Sequence, residues 1–198
     1  MKPTNKVMKR LSLYLFLIFF TLQTPSQADD IRDFEIEGIS IGDSALNFFS
    51  KSLIEKNSKD VYSDKKFTVV QNNKLSFFET YDAVDYHFMT NDPNYIIYSI
   101  AGILFYDNNV DDCYVKMDEI VNELRIVFKS TPPSIKKTKK HGGDNTGKST
   151  YTYVRWKLPS GYAVVTCYNY SKEMNSQNHL EVALDTYELH KWLATNPY

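Results

Sequence analysis

Apolar and polar positions alternate with a period of two along much of this chain, and a helical period appears in three shorter stretches. The period of two predicts strands at 34–41, 67–70, 75–90 (broken near Asp82), 95–106, 151–158, 162–170 and 180–184. The helical period predicts helices from about 45 to 56, 111 to 128 and 186 to 194. Asp185 and Glu188 are expected to form a capping box at the start of the last helix.

The predicted strands are joined by short turns, such as Asn-Asp-Pro-Asn at 91–94 and Pro-Ser-Gly at 159–161. Parallel neighbours need a crossover of a dozen or more residues, so these strands should pair antiparallel. We therefore expect an α+β fold over residues 29–198. It would be a single domain, with a mainly antiparallel sheet and two longer helices and a short C-terminal helix packed on one face of that sheet.

The N-terminus has the three parts of a secretory signal peptide. A basic stretch ends at Arg10, an apolar run covers 11–22, and Ser26 and Ala28 are small residues at the positions that specify cleavage. The alternative is an uncleaved anchor, but the run of twelve residues is shorter than the ~20 that a spanning helix needs. Residues 1–28 are thus predicted to be removed after Ala28, which places a mature chain without a transmembrane segment in the periplasm or outside the cell.

Removing the signal peptide changes the charge of the chain. The full sequence has 23 Lys and Arg and 24 Asp and Glu, and residues 1–28 contain four of the basic residues and none of the acidic ones. The mature chain therefore has 23 − 4 = 19 basic and 24 acidic residues, a formal charge of −5. Such an acidic chain is not expected to bind nucleic acid, which requires positive charge to displace counterions.

The two cysteines, Cys113 and Cys167, take their interpretation from the predicted compartment. Cys113 falls on the apolar side of the second predicted helix, and Cys167 shares a strand face with Ala163 and Val165, so both thiols should point into one core. In an oxidising compartment two such thiols are expected to form a disulfide, and the alternative is two buried free thiols. Neither cysteine has a histidine or carboxylate at ligand spacing, so no metal and no other cofactor is expected.

Residues 130–149 form a polar, basic segment without aromatic residues, which we interpret as a mobile surface loop. The strand that follows it should present tyrosines and basic residues on one face. The candidate binding residues are therefore Lys136, Lys137, Lys139, Lys140, Tyr151, Tyr153 and Arg155. Their chemistry suits an envelope protein or an anionic polysaccharide, and the alternative is a solvated loop without a ligand.

The same segment ends in Gly-Gly-Asp-Asn-Thr-Gly-Lys-Ser at 142–149, which matches the pattern of a phosphate-binding loop. That loop works between a hydrophobic strand and a helix, because backbone amides and the helix dipole converge on the phosphate. Here a basic run precedes the pattern and an alternating strand follows it. The context therefore argues against nucleotide hydrolysis.

Residues 41–46, Ile-Gly-Asp-Ser-Ala-Leu, resemble the first block of GDSL-type serine hydrolases. The resemblance implies Ser44 as the nucleophile, Asn91 as the oxyanion-hole residue and His190 as the base. That family has two residues between its Asp and His and is built on a parallel sheet, whereas Asp185 and His190 have four residues between them. We therefore interpret the match as coincidental, with Ser44 or its neighbour capping a helix.

Three segments, at 33–44, 98–102 and 113–124, resemble a set of small exported proteins from marine bacteria. This resemblance implies export and carries no activity. The sequence thus predicts a binding or interaction module of the cell envelope rather than an enzyme. A serine esterase or lipase-like hydrolase that uses Ser44 is one alternative, and a structural envelope component is another.

Overall fold

The structure, a computed structural model, describes residues 30–195 except Asp60 and Asn108. The predicted signal peptide and its cleavage site lie outside the described residues. The strands are β1 (Glu35–Ile36), β2 (Ile39–Ser40), β3 (Ser58–Lys59), β4 (Phe67–Asn73), β5 (Ala83–Met89), β6 (Ile97–Phe105), β7 (Lys137–Lys140), β8 (Thr150–Leu158), β9 (Gly161–Asn169) and β10 (His179–Thr186). The α-helices are α1 (Lys51–Asn57), α2 (Val110–Val127) and α3 (Tyr187–Thr195).

Eight of these strands form one sheet in the order β3-β4-β5-β6-β10-β9-β8-β7. Every pairing within it is antiparallel. The expected α+β fold is therefore confirmed. The chain runs from β4 to β6 through connections of nine residues (74–82) and seven residues (90–96), leaves the sheet through α2, and returns to build β7 to β10 on the other side of β6.

One face of the sheet packs against α2, and we call it the core face. Cys113, Met117 and Val121 of α2 are buried there. The sheet contributes, among others, Val84, Tyr86, Ile100, Val154, Trp156, Val165, Leu180 and Leu184. Cys113 is bonded to Cys167 of β9, with their Cα atoms 6.1 Å apart, so the predicted disulfide ties α2 to the middle of the sheet.

The opposite face, which we call the distal face, is covered at one end by α3. Leu189 and Trp192 of this helix pack against Tyr62, Phe67 and Val69 in a second apolar cluster. The prediction that all helices share one face is therefore wrong for α3. The physical reason is that β10 runs directly into α3 without a loop that could carry the helix around the sheet edge.

The start of α3 also differs from the prediction. Asp185 lies inside β10, where its carboxylate accepts a hydrogen bond from the Ser99 hydroxyl at 2.7 Å. The first turn of the helix is instead capped by Thr186, whose Oγ1 accepts from the Leu189 amide at 3.3 Å. The expected capping box of Asp185 and Glu188 is wrong because the strand ends at Thr186, two residues beyond its predicted end at 184.

Two N-terminal elements are shorter than predicted. The strand expected over 34–41 is a hairpin of β1 and β2, because Glu37 and Gly38 adopt positive φ values of 53° and 77° and reverse the chain. The helix expected over 45–56 is a 3₁₀ turn at Ala45–Asn47 followed by α1. Ser50 separates the two in an extended conformation and caps α1 through the Leu53 amide.

The segment at 130–149 is not a loop throughout. Lys137–Lys140 forms β7, which pairs with β8 at the edge of the sheet. All four of its side chains are exposed, so the strand has no apolar positions that could reveal it in the sequence. Lysines at a sheet edge also disfavour pairing with other chains.

Candidate binding site

Aromatic rings form a continuous row across the distal face. Directly paired residues of neighbouring strands point to the same side of a sheet, and the register aligns Tyr151 of β8, Tyr168 of β9, His179 of β10 and Phe105 of β6. The ring centroids of Tyr151 and Tyr168 are 5.9 Å apart, and those of Tyr168 and His179 are 4.6 Å apart. We call these four residues the aromatic row.

Two lysines of β7 extend this row at the sheet edge. Lys139 is paired with Tyr151, and Lys137 is paired with Tyr153 on the same face. The Lys139 ammonium lies 5.8 Å from the centroid of the Tyr153 ring, which itself stacks on Tyr151 with centroids 5.8 Å apart. Positive charge therefore borders the aromatic row on its solvent-exposed side.

Of the seven predicted binding residues, the structure brings five together on the distal face. Tyr151, Tyr153 and Arg155 alternate along β8, and Lys137 and Lys139 lie opposite them on β7. The remaining two do not belong to this surface. Lys136 forms an ion pair with Asp118 of α2, and Lys140 pairs with Thr150, which points to the core side of the sheet.

Next to these residues, Arg155 and His190 meet over Tyr162 of β9. An Nη1 proton of Arg155 is donated to Nε2 of His190 over 3.4 Å, and the guanidinium carbon lies 5.1 Å from the Tyr162 ring centroid. The His190 and Tyr162 rings are 4.3 Å apart. On its other side, Nδ1 of His190 lies 3.8 Å from Oδ2 of Asp185.

The middle of the distal face carries carboxyl groups in unusual environments. The pKa of Glu181 is raised to about 8, first by burial and then by the charges of Asp185 and Asp85, while a hydrogen bond with Tyr168 opposes the shift. Burial likewise raises the pKa of Asp85 to about 7, against the opposing effects of Lys59 and Gln71. At neutral pH Glu181 is therefore mostly uncharged and does not repel an anion.

His87 lies beside Asp85 on β5 and is held in its neutral form. Burial lowers the pKa of its imidazole to about 4, and the Asp185 charge only partly opposes this. Its Nε2 is within 3.1 Å of the Tyr62 hydroxyl. His87 itself therefore adds no positive charge to this end of the distal face at neutral pH.

The structure does not bring the three candidate hydrolase residues into one site. The Ser44 hydroxyl donates to the carbonyl oxygen of Asn94 at 2.6 Å and accepts from the Leu46 amide at 3.3 Å, which is the geometry of a helix cap. Asn91 is an exposed turn residue with φ of 66°. The described partners of the His190 ring are Asp185, Arg155 and Tyr162, so Ser44 is not activated by this base.

The glycine-rich stretch at 142–149 connects two strands of a hairpin and is organised around the Asp144 carboxylate. Oδ2 of Asp144 accepts from the Ser149 amide at 2.7 Å and from its hydroxyl at 2.6 Å, while Oδ1 accepts from the Thr146 amide at 2.8 Å. These amides are directed to a carboxylate, so they do not form a phosphate cradle. This agrees with the rejection of the nucleotide-binding interpretation.

Sequence analysis missed several residues of this face. Tyr168 and Tyr162 lie on a predicted strand, but only the structure shows that Tyr168 is paired with Tyr151 and that the Tyr162 ring contacts the Arg155 guanidinium. Glu181 lies in a strand whose sequence pattern predicts one buried and one exposed side. The residues paired with Glu181 come from β6 and β9, and the pairing with β6 is distant in sequence. The alternation of Tyr168 with Thr166 and Val164 was the one signal in the sequence that could have added Tyr168.

Within the described residues, no group of three or more His, Cys, Asp or Glu side chains is arranged to hold a metal ion. No helix in this part of the chain combines the length and apolarity needed to cross a membrane. The sequence matches no protein-family model, and no curated protein or solved structure is significantly similar to it. The resemblance to small exported proteins therefore stays a prediction.

Proposed function

We propose that this chain is an exported binding protein whose distal face binds an anionic polysaccharide of the cell envelope. The observation that carries the proposal is the aromatic row bordered by Lys137 and Lys139. The row crosses four strands, so it is about 14 Å long at the usual strand spacing. A strip of that length matches a short stretch of an extended sugar chain.

The chemistry of the strip suits sugar rings that carry negative charge. The C–H face of a pyranose is apolar and packs against aromatic side chains, which also carry a polar end. Lys137 and Lys139 supply positive charge from the edge strand, and Arg155 and Lys157 continue it along β8. The acidic net charge of the mature chain does not prevent this, because the basic side chains cluster on β7 and β8.

Export is supported by two independent features. The sequence of residues 1–28 has the organisation of a cleavable signal peptide. Cys113 and Cys167 form a disulfide, which persists in oxidising compartments and is rare in the bacterial cytosol. Both features are consistent with a site of action in the periplasm or outside the cell, where anionic polysaccharides are found.

Affinity electrophoresis of the mature protein through gels containing dextran sulfate, polygalacturonate or neutral dextran tests the proposal. We expect retardation by one or both anionic polymers and not by dextran, and the retardation should fall as salt is added. A Tyr151→Ala/Tyr153→Ala variant should lose most of it, while Tyr114→Ala on α2 should not. Equal migration in all three gels would overturn the proposal.

A further inference from the structure

We propose that Arg155, His190 and Tyr162 form the subsite that binds the acidic group of the sugar chain, either a carboxylate or a sulfate ester. This inference rests on the proposed function and adds the chemical group that is recognised. The three residues come from β8, α3 and β9, and the fold alone brings them together. They lie on the same face as Tyr153, two residues along β8 from Arg155.

Arg155 is a half-buried guanidinium without an acidic partner. None of the ion pairs among the described residues includes it. A partly desolvated cation that is not neutralised by the protein is a suitable binding partner for an anionic ligand. The guanidinium is also planar and presents paired N–H donors, which match two oxygens of a carboxylate or a sulfate.

The contacts of His190 determine which donors of Arg155 remain available. Since a guanidinium only donates, Nε2 of His190 must accept from Arg155, and the ring proton then lies on Nδ1. That nitrogen faces Oδ2 of Asp185 at 3.8 Å, whereas the other oxygen of Asp185 accepts from Ser99 at 2.7 Å. Arg155 thus uses one of its five N–H donors on His190, and the Asp185 carboxylate is engaged away from the guanidinium.

The Tyr162 ring and the backbone hold the arrangement in place. The Tyr162 ring lies under both the guanidinium and the imidazole, with centroid distances of 5.1 Å and 4.3 Å. The Arg155 amide donates to the Ser134 hydroxyl at 3.1 Å, and its carbonyl accepts from the Ser134 amide at 2.8 Å. A guanidinium that is oriented before the ligand arrives loses less entropy on binding than a free one.

Nuclear magnetic resonance titration of the mature protein with sodium galacturonate, glucose 6-sulfate and glucose tests the subsite directly. We expect saturable shifts of the His190 ring and Arg155 side-chain signals with one or both acidic sugars and none with glucose. A response to galacturonate alone identifies the carboxylate, and a response to glucose 6-sulfate alone identifies the sulfate ester. No shift at either side chain overturns the subsite.

Variants of Arg155 separate a fork-shaped donor from a point charge. Arg155→Gln and Arg155→Lys should both weaken binding of the acidic sugar about tenfold, which corresponds to about 1.4 kcal/mol. Arg125→Gln on α2 is the matched control and should change nothing. Full binding by Arg155→Lys would contradict the paired-donor geometry. If Arg155→Gln binds the polymer normally while Tyr151→Ala/Tyr153→Ala does not, the subsite is wrong and the proposed function stands.

Discussion

The Ser44 hydroxyl donates its proton to the carbonyl oxygen of Asn94 at 2.6 Å, and its oxygen accepts from the Leu46 amide. A hydroxyl engaged in this way caps the 3₁₀ turn at Ala45–Asn47, and within the described part of the chain it donates to a backbone carbonyl and not to a catalytic base. We expect intact-mass analysis after treatment with a fluorophosphonate to show no adduct. A single adduct that is absent from Ser44→Ala would contradict this assignment.

The capping role of Ser44 predicts an effect on stability instead of activity. Ser44→Ala should lower the free energy of unfolding by about 1 kcal/mol, because the Leu46 amide loses its acceptor. Urea denaturation measures this, with Ser63→Ala, at an exposed position, as the control. An unchanged midpoint for Ser44→Ala would show that the cap does not contribute.

The disulfide between Cys113 and Cys167 closes a loop with a sequence separation of 54 residues. In the chain-entropy account, opening such a loop costs about 4 kcal/mol of stability. Thiol titration should find no reactive thiol in the mature protein before reduction. Urea denaturation with and without reductant should then show a large loss of stability on reduction, matched by Cys113→Ser/Cys167→Ser. Equal midpoints would contradict the structural role of the bond.

Much of the fold could be predicted from the sequence because the longer strands and α2 each have one buried and one exposed side. Their apolar residues therefore recur with the period of a strand or of a helix. The alternation of β8 and β9 and the helical spacing around Met117 correspond to the core face. Elements without an apolar side could not be found in this way. β7 is exposed on both faces, and the hairpin of β1 and β2 is only two residues long on each side.

The candidate site was less accessible to sequence analysis, because a binding face depends on strand register. Alternation placed Tyr151, Tyr153 and Arg155 on one side of a strand, and the structure agrees. Only the pairing of β7 with β8 shows that Lys137 and Lys139 lie on the distal face and that Lys140 does not. Contacts between β8 and α3 are tertiary and leave no local pattern.

Burial of Glu181 predicts a loss of stability in alkaline solution. Its pKa is raised from 4.5 to about 8, so the folded protein holds this proton more tightly than the unfolded chain does. The stabilising contribution is complete below pH 4.5 and is lost as the pH rises through 8. Asp85, with a pKa raised to about 7, acts in the same direction.

Glu181→Gln should remove part of this dependence. The variant should be more stable than the unmodified protein at pH 9, by on the order of 2 kcal/mol, and its stability should decline less between pH 5 and pH 9. Chemical denaturation across this range measures both effects, and Glu188→Gln at the exposed start of α3 is the control. Parallel pH profiles for Glu181→Gln and the unmodified protein would contradict the prediction.

The Asp144 carboxylate should hold the end of the β7–β8 hairpin. It accepts from Ser149 and Thr146 in the turn and from the Ser171 hydroxyl at 3.1 Å. Asp144→Asn cannot accept all of these hydrogen bonds, so amide hydrogen exchange in β7 should accelerate while exchange in β6 does not change. Glu173→Gln, which breaks the exposed ion pair with Lys148 and leaves the Asp144 carboxylate in place, is the control. Unaltered protection of β7 in Asp144→Asn would contradict the role of this carboxylate.

The most direct test of the proposed function compares two double variants that remove the same charge from adjacent positions. Lys137→Ala/Lys139→Ala removes lysines from the distal face, and Lys136→Ala/Lys140→Ala removes lysines that lie off that face. Binding to dextran sulfate and polygalacturonate would be measured by affinity electrophoresis at fixed ionic strength. We predict that the first variant loses about tenfold in affinity, or about 1.4 kcal/mol, while the second stays close to the unmodified protein. Equal affinities for the two variants, or no binding by the unmodified protein, would contradict the assignment of the distal face as the polysaccharide site.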